Sequence, residues 1–221
     1  MKLGCVFTQT RLDADGHPVR DPGSASYVSS FETVDRFGSL LYAEALQRGL
    51  ESARQVIVIG DGAPWIWNLS ALHFPMAIQV ADLYHAREHL FDLRRLAMPT
   101  VGEDRWFAAR LAELDTGDIE SLLAAFNALP EAETEEVHKA LAYFETNQER
   151  MRYGRFRQLG LFVGSGTVEA GCKVIVHQRL KLSGMRWSLP GASAIVSLRA
   201  HSASGRWDAI WRQVHGQTSV A

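Results

Sequence analysis

The sequence is poor in cysteine and contains no long apolar run. Its 221 residues include only Cys5 and Cys172, which lie far apart and have no C-x-x-C partner. This excludes a disulfide framework and a cysteine zinc site, and it predicts two reduced, buried thiols. No apolar run approaches the roughly 18 residues that a membrane span needs, and the N-terminus lacks a signal-peptide pattern. We therefore expect a cytoplasmic protein with no membrane partner.

Acidic residues are scarce in the last third of the chain. Residues 150–221 contain 11 Lys and Arg but only Glu169 and Asp208, a net charge of +9, whereas the remaining 149 residues carry −11. This asymmetry favours an anionic partner for the basic part, and a solvated basic face without a ligand is the alternative. The overall composition, with 47% hydrophobic and 22% charged residues, is that of a globular protein and excludes a disordered or coiled-coil chain.

Residues 1–97 show the alternation of strands and helices that is typical of an α/β core. Apolar, β-branched runs bounded by turn residues predict strands, and apolar residues at helical spacing predict helices. The run 56–59, followed by Gly60-Asp61-Gly62, is typical of a central parallel strand buried on both faces. The other predicted strands cover 2–10, a hairpin partner around Val19, 26–30 and 77–80, and the predicted helices cover 31–50, 64–73 and 83–97.

Beyond residue 97 the chain changes to helical patterns only. Residues 103–149 contain 12 Asp and Glu against 3 Lys and Arg, and Pro130 suits the first position of a helix. We interpret residues 98–153 as an all-helical insertion and residues 154–221 as the last part of the α/β core. In that last part we expect a helix that follows the Gly-Ser-Gly-Thr stretch at 164–167 and continues to about Arg179. A second helix over 190–201 and a Trp-rich tail at 206–211 come after it.

Two acidic residues occupy positions that suit chemistry. Asp61 follows a buried strand and lies between two glycines, at the carboxyl edge where open α/β sheets bind their ligands. Glu169 begins a helix after Gly-Ser-Gly-Thr and is one of only two acids in the basic stretch. Each residue also has a purely structural interpretation. Asp61 could cap the following helix, and Glu169 could belong to a capping box.

A third pattern lies just after the second buried strand. Helical spacing places Asp82 and His85 on one face of the predicted helix, and it does the same for His85 and His89. The segment 85–89 also fits H-x-x-E-H, the zinc-peptidase pattern in which both His bind zinc and the Glu polarises water, with Glu169 as the third ligand. A satisfied core histidine is the structural alternative for His85.

Taken together, the motifs of this chain resemble the DDE transposases of bacterial insertion sequences, most closely the ISKra group in the Mutator-like branch. The resemblance covers nearly the whole chain and implies an RNase H-like fold. That fold has a mixed sheet, with its first three strands antiparallel and a helical insertion before the last catalytic residue. The matching segments are 58–67, 74–75, 82–85 and 164–169, together with 2–10 and 184–188.

The resemblance also implies a role for each acid. Asp61 would be the second acid of the catalytic triad and Glu169 the third, and Asp82 with His85 would match a Cys/Asp-x-x-His element of the family. The first acid would lie on a central strand upstream of residues 2–10. Asp13 and Asp15 lie in a hairpin turn and are poor substitutes for it. The resemblance therefore implies a transposase truncated at its N-terminus, with its first central strand missing.

The implied activity is metal-dependent DNA strand cleavage and strand transfer of an insertion sequence. Two Mg²⁺ or Mn²⁺ ions, about 3.5 to 4 Å apart, would stabilise the attacking and leaving oxygens of the phosphoryl transfer, and both need hard anionic ligands. Asp61 and Glu169 are the expected metal ligands. Because two acids make a poor site, we expect this chain alone to be inactive. A non-catalytic DNA-binding remnant and a zinc metallopeptidase are the alternative functions.

DNA is the expected partner, both as element ends and as target, and the active complex is expected to be a homo-oligomer. Basic side chains would hold phosphates, and Trp187 is available for stacking. The predicted DNA-binding residues are Arg150, Arg152, Arg155, Arg157, Lys173, Arg179, Lys181 and Arg186.

Overall fold

A computed structural model of the protein describes residues 1–97, 104–128 and 134–217. It is a mixed α/β structure in which helices predominate. The helices are α1 (Val34–Gln47), α2 (Pro64–His73), α3 (Leu83–Ala97), α4 (Asp104–Thr116), α5 (Ile119–Asn127), α6 (Glu135–Asn147), α7 (Tyr153–Gln158), α8 (Gly166–Gly171), α9 (Gln178–Leu180), α10 (Leu189–Ala203) and α11 (Trp207–Gln217). Turns of 3₁₀-helix cover Leu50–Ser52 and Gln148–Met151, and a π-helical stretch, Cys172–His177, joins α8 to α9.

The strands form three two-stranded sheets within the described ranges. Strand β1 (Lys2–Val6) pairs antiparallel with β4 (Ser26–Ser30), and β2 (Arg11–Leu12) pairs with β3 (Pro18–Val19). Strand β5 (Ile57–Gly60) pairs parallel with β6 (Ile78–Ala81), which places Ile57 opposite Ile78.

One edge of β5 has no ladder partner among the described residues. On the other edge, the carbonyls of Val56 and Gly60 accept hydrogen bonds from the β6 side, at 2.9 Å from the Ile78 amide and 2.7 Å from the Asp82 amide. Alternate residues of a parallel strand bond the same neighbour, so the backbone groups of Ile57 and Ile59 point to the open edge.

The chain divides into two compact units. Unit 1 comprises residues 1–13, 19–54 and 166–221, and unit 2 comprises residues 14–18 and 55–165.

Unit 2 has a core between the β5–β6 sheet and the helices that follow it. Helix α3 packs against α4 and α6, and α4 packs against α5 and α7. Full burial of such apolar side chains stabilises the fold by about 1.5 to 3 kcal/mol each. The fully buried side chains include Val80, Leu90, Leu114, Phe126 and Phe144.

Unit 1 is built on the β1–β4 ribbon. Helix α1 contacts both strands, and α10 packs against β4 and against the π-helical stretch. The Thr33 hydroxyl accepts a hydrogen bond from the Arg36 amide at 3.3 Å and so caps the start of α1. A small cluster of buried side chains, Ile175, Val176, Val196 and Ala200, joins the π-helical stretch to α10.

Several predicted elements are confirmed, and three need correction. The predicted helices 64–73 and 83–97 form with those bounds, and the strands predicted at 26–30, 56–59 and 77–80 form within one residue. The strand predicted over 2–10 ends at Val6 and pairs with β4, not with the segment around Val19. Beyond Val6, the Thr8 amide donates to Ser24 Oγ at 3.2 Å, and the Thr8 and Thr10 hydroxyls donate to the Asp21 carboxylate at 2.7 and 2.6 Å.

The other two corrections concern β5 and the Trp-rich tail. Residues 57–59 are only partly buried, and β5 has one ladder neighbour among the described residues instead of the two of a central strand. The Trp-rich tail is helical, because it forms the start of α11. The predicted helix start at Pro130 lies outside the described residues.

Candidate functional site

The turn that carries Asp61 lies at the carboxyl end of β5. Asp61 is exposed, and its Oδ1 accepts a hydrogen bond from the Ala63 amide at 2.9 Å. Gly62 adopts a φ of 99°, in the region that favours glycine. The following helix starts with Pro64, which needs no amide partner at that position. The carboxylate thus closes the turn and faces solvent, where it could still bind a divalent cation.

Tyr143 of α6 holds this turn from the other side. Its hydroxyl donates to the Asp61 carbonyl at 3.1 Å, and its ring occupies the space that a Cβ on Gly62 would need. The ring also stacks on His89, with 3.7 Å between the ring centroids. Burial, reinforced by the nearby carboxylates of Asp61, Asp82 and Glu88, raises the pKa of the Tyr143 phenol, so the hydroxyl stays protonated and able to donate.

A second contact from α6 supports the same turn through Trp67. The indole Nε1–H of Trp67 lies 2.8 Å from Asn147 Oδ1 and 3.2 Å from the Gly62 carbonyl. Asn147 is itself buried and donates to the Tyr143 carbonyl at 2.9 Å. We call Tyr143, Asn147 and Trp67 the α6 clamp. Tyr143 and Asn147 are four residues apart, so they share one face of α6. This pair was not predicted from the sequence, because i, i+4 spacing is common to every face of a helix and does not distinguish it.

Asp82 is fully buried at the start of α3, and its carboxylate binds backbone amides. Oδ1 accepts from the Tyr84 amide at 2.7 Å and from the His85 amide at 3.2 Å, while Oδ2 accepts from the Ser165 amide. A further bond of 2.9 Å joins the Leu83 amide to the carbonyl of Val163. Asp82 therefore caps α3 and anchors the loop that leads into α8, the helix of Glu169.

The two histidines of the H-x-x-E-H pattern have different surroundings. His85 Nδ1 lies 3.0 Å from Glu88 Oε2, on the half-exposed side of α3. His89 is stacked on Tyr143, and burial lowers the pKa of its imidazole. Within the described ranges, these residues form no cluster of three metal-ligating side chains. Glu88 and His85 instead form an ordinary side-chain pair at i, i+3 spacing on the helix.

Glu169 lies on α8 in unit 1 and is exposed. The helix changes to π geometry three residues later, and this irregularity is often found at functional sites. The Arg199 side chain of α10 donates from Nε, at 3.1 Å, and from Nη2 to the Val174 carbonyl within the π-helical stretch. Arg199 thus stabilises the helix that presents Glu169.

The predicted DNA-binding residues fall into two groups. In unit 2, Arg150 is half-buried, lies over the Trp67 ring and donates to Gln79 Oε1 at 2.7 Å. Arg152 forms hydrogen bonds with Glu120 and Glu149, at 2.5 and 2.7 Å. Arg155 and Arg157 are exposed in α7, where Arg157 donates to the Asp115 carbonyl. Arg150 and Arg152 already have protein partners, so a phosphate would have to compete with these for them.

In unit 1 the predicted residues Lys173, Arg179, Lys181 and Arg186 are all exposed. Arg179 lies over the ring of Trp187, with 5.7 Å between its Cζ and the ring centroid. These residues extend along the π-helical stretch, α9 and the segment that connects α9 to α10.

The sequence profile of UPF0236, an uncharacterised protein family, matches residues 42–217. The chain belongs to this family. The match includes the Asp61 turn, the α6 clamp, Asp82 and the helix of Glu169. Searches of curated proteins and of solved structures found no significant match. None of the described helices of this UPF0236 protein has both the length and the apolar character that crossing a membrane requires.

Both cysteines of the UPF0236 chain are free, as predicted, but they are partly rather than fully buried. Burial raises the pKa of the Cys5 thiol to about 11.

Unit 2 also contains a cleft of about 500 Å³ beside α7. Its lining includes Gln79, Glu145 and Arg155.

Proposed function

We propose that this UPF0236 chain is a transposase of the DDE type with an RNase H-like fold, which acts on DNA by metal-dependent phosphoryl transfer. The observation that carries the proposal is the Asp61 turn. An exposed carboxylate lies at the carboxyl end of a parallel strand, in the position where α/β sheets place their ligand-binding groups, and Tyr143 and Trp67 of the α6 clamp bind the backbone of its turn.

The order of elements supports the proposal. An antiparallel pair, β1–β4, precedes the parallel pair β5–β6, and the helices α4, α5 and α6 follow before the helix of Glu169. The resemblance implies strands that begin antiparallel and a helical insertion before the last catalytic residue, which agrees with this order. It also implies one mixed sheet, whereas the described strands form three two-stranded sheets. The open edge of β5 is suited to a further strand, and on such a strand we expect the first acid of the triad.

Asp61 and Glu169 would supply carboxylate oxygens to two Mg²⁺ or Mn²⁺ ions. Their exposed carboxylates are the hard ligands that these ions prefer. The bound ions would stabilise the charge that develops in phosphoryl transfer. The protein's own contribution would be to support the segments that carry the two carboxylates: the α6 clamp binds the Asp61 turn, Asp82 binds the Ser165 amide before Glu169, and Arg199 binds the Val174 carbonyl after it.

The basic part of the chain would bind DNA. Residues 150–221 carry a net charge of +9, so affinity for duplex DNA should fall steeply as salt rises, because each phosphate contact releases condensed counterions. A salt dependence close to zero would remove nucleic acid from the proposal.

The decisive assay is Mg²⁺-dependent strand transfer with the DNA ends that flank the gene. It compares these 221 residues with a version carrying an added N-terminal strand that bears an Asp. We expect activity only from the extended version, because two carboxylates cannot hold both ions. Asp61→Asn and Glu169→Gln should abolish that activity. Asp92→Asn is the control, since Asp92 is an exposed acid on α3 that pairs with Arg95 at 3.0 Å.

Two results would contradict parts of this proposal. Activity from the unextended chain that Asp61→Asn abolishes would show that the first acid is elsewhere. If the extended version binds DNA but stays inactive, the chain is a DNA-binding protein without catalysis.

A further inference from the structure

The segment between α9 and α10 exposes apolar and aromatic side chains beside basic ones. Every residue from 181 to 190 is exposed. Single exposed apolar residues are normal on a protein surface, but a group of large ones in a short segment marks an interaction site. The exposed fractions are 50% for Leu182, 37% for Met185, 37% for Trp187 and 64% for Leu189.

The charge around this segment has one sign. No acidic residue occurs between Glu169 and Asp208, whereas Lys173, Arg179, Lys181 and Arg186 are all exposed there. The guanidinium of Arg179 lies over the Trp187 ring, which orients that ring and adds positive charge next to it. The surface therefore combines a planar aromatic side chain with a positive field.

We propose that residues 179–189 form a stacking site for an unpaired base of single-stranded DNA, with Trp187 as the platform and Arg179 as its support. This rests on the proposed action on DNA and names the form of DNA that the segment binds. A duplex keeps the faces of its bases stacked inside the helix, so phosphate contacts alone would not need an exposed indole, Met and Leu. An unpaired base has an open face, and stacking on an aromatic ring tolerates any sequence.

The test measures binding of the full 221-residue chain to a fluorescein-labelled oligothymidylate and to a blunt duplex of the same length, by fluorescence anisotropy. Trp187→Ala should weaken oligothymidylate binding about tenfold or more and change duplex binding by less than about twofold. Trp187→Phe keeps an aromatic face and should restore most of the affinity. Circular dichroism confirms that the variants fold, which we expect because the side chain is surface-exposed.

Two further variants separate stacking from charge. Trp207→Ala removes another exposed indole, which meets the Trp211 ring edge-on at 5.6 Å, and should leave oligothymidylate binding unchanged. Lys181→Met should weaken both DNA forms and reduce the salt slope for the single strand by about 0.7, as for one lost phosphate contact. Trp187→Ala should leave that slope unchanged, because stacking releases no counterions.

Three outcomes would overturn the inference. Equal loss of single-strand and duplex binding in Trp187→Ala, or no loss in either, would exclude a stacking site. Binding to phosphatidylserine vesicles that requires Trp187, with oligothymidylate binding unaffected, would assign the segment to a membrane surface. If the wild-type chain binds neither DNA form, the proposed function fails together with the inference, whereas duplex binding alone would spare the proposed function.

Discussion

A buried ion pair in unit 1 predicts an unequal response to mutation. Glu44 of α1 is buried, with 7% of its side chain exposed, and it accepts two hydrogen bonds from Arg206, at 2.6 and 2.5 Å. The Ser26 hydroxyl also donates to Glu44, at 2.5 Å. Arg206 is 30% exposed, so its guanidinium can rehydrate when the partner is lost, whereas the Glu44 carboxylate cannot.

The two single substitutions should therefore differ in cost. Removing one partner of a buried ion pair costs about 3 to 5 kcal/mol when the remaining charge stays buried. For Arg206→Met we expect about 3 kcal/mol, at the lower end, because Arg48 Nε lies 3.5 Å from Glu44 and offsets part of the loss. For Glu44→Met we expect only about 1 kcal/mol, since solvent reaches Arg206 and the Met side chain fills the site.

Urea unfolding of the wild type, both single variants and the double variant measures these free energies. The double variant should cost about as much as Glu44→Met alone, which gives a coupling energy of roughly 3 kcal/mol between the two residues. A Glu44→Met variant that is less stable than Arg206→Met would refute the argument that the stranded carboxylate dominates.

The same pair predicts the response to acid. Burial by itself would raise the pKa of Glu44, but the hydrogen bonds from Arg206 and Ser26 outweigh it and hold the pKa below its usual value. A carboxyl group with a lowered folded-state pKa stabilises the fold above its unfolded pKa, and that stabilisation is lost as pH falls through the folded pKa. Glu44→Met should therefore lose less stability than the wild type between neutral pH and acid.

Two further substitutions test the site geometry. Gly62→Ala should lower the free energy of unfolding by about 1 to 3 kcal/mol in urea, because it places a side chain at φ 99° and against the Tyr143 ring. The control Gly16→Ala, at φ 82° with open space around it, should cost less. Asp82→Ala should lower the free energy of unfolding by about 2 to 4 kcal/mol. It should also speed amide hydrogen exchange at Ser165, because that amide loses its charged acceptor. Unchanged exchange at Ser165 would show that Asp82 does not anchor the loop.

The helices and strands near the Asp61 turn were predictable because their signals are local. Pro64 at the first helical position and the glycine-bounded apolar run before Asp61 define β5 and α2 within one residue. The pairing of β1 was not predictable in the same way. The alternation of a strand does not state its partner, so neither the pairing of β1 with β4 nor its end at Val6 followed from the pattern.

In the candidate site too, features with a local signal were predicted and long-range contacts were not. Asp61, Asp82 and Glu169 were predicted as site residues from their positions after strands and at a helix start, and this stays a prediction. Their supports were not identified, because Tyr143 lies 82 residues from Asp61, and Ser165 lies 83 residues from Asp82. Nothing in the local pattern of α6 distinguishes Tyr143 from an ordinary core aromatic residue.

By itself, the sequence determined most of the helices and strands, where turns require glycine or proline, and which end of the chain is basic. These properties depend on side chains within a few residues of one another, through periodicity, capping and charge. Only the tertiary structure decided that α6 clamps the Asp61 turn, that Asp82 anchors the loop before Glu169, that Arg150 and Arg152 already have protein partners, and that Glu44 pairs with Arg206. The physical reason is that each of these contacts joins groups far apart in the chain, and only the packing of the whole core brings them within hydrogen-bonding distance.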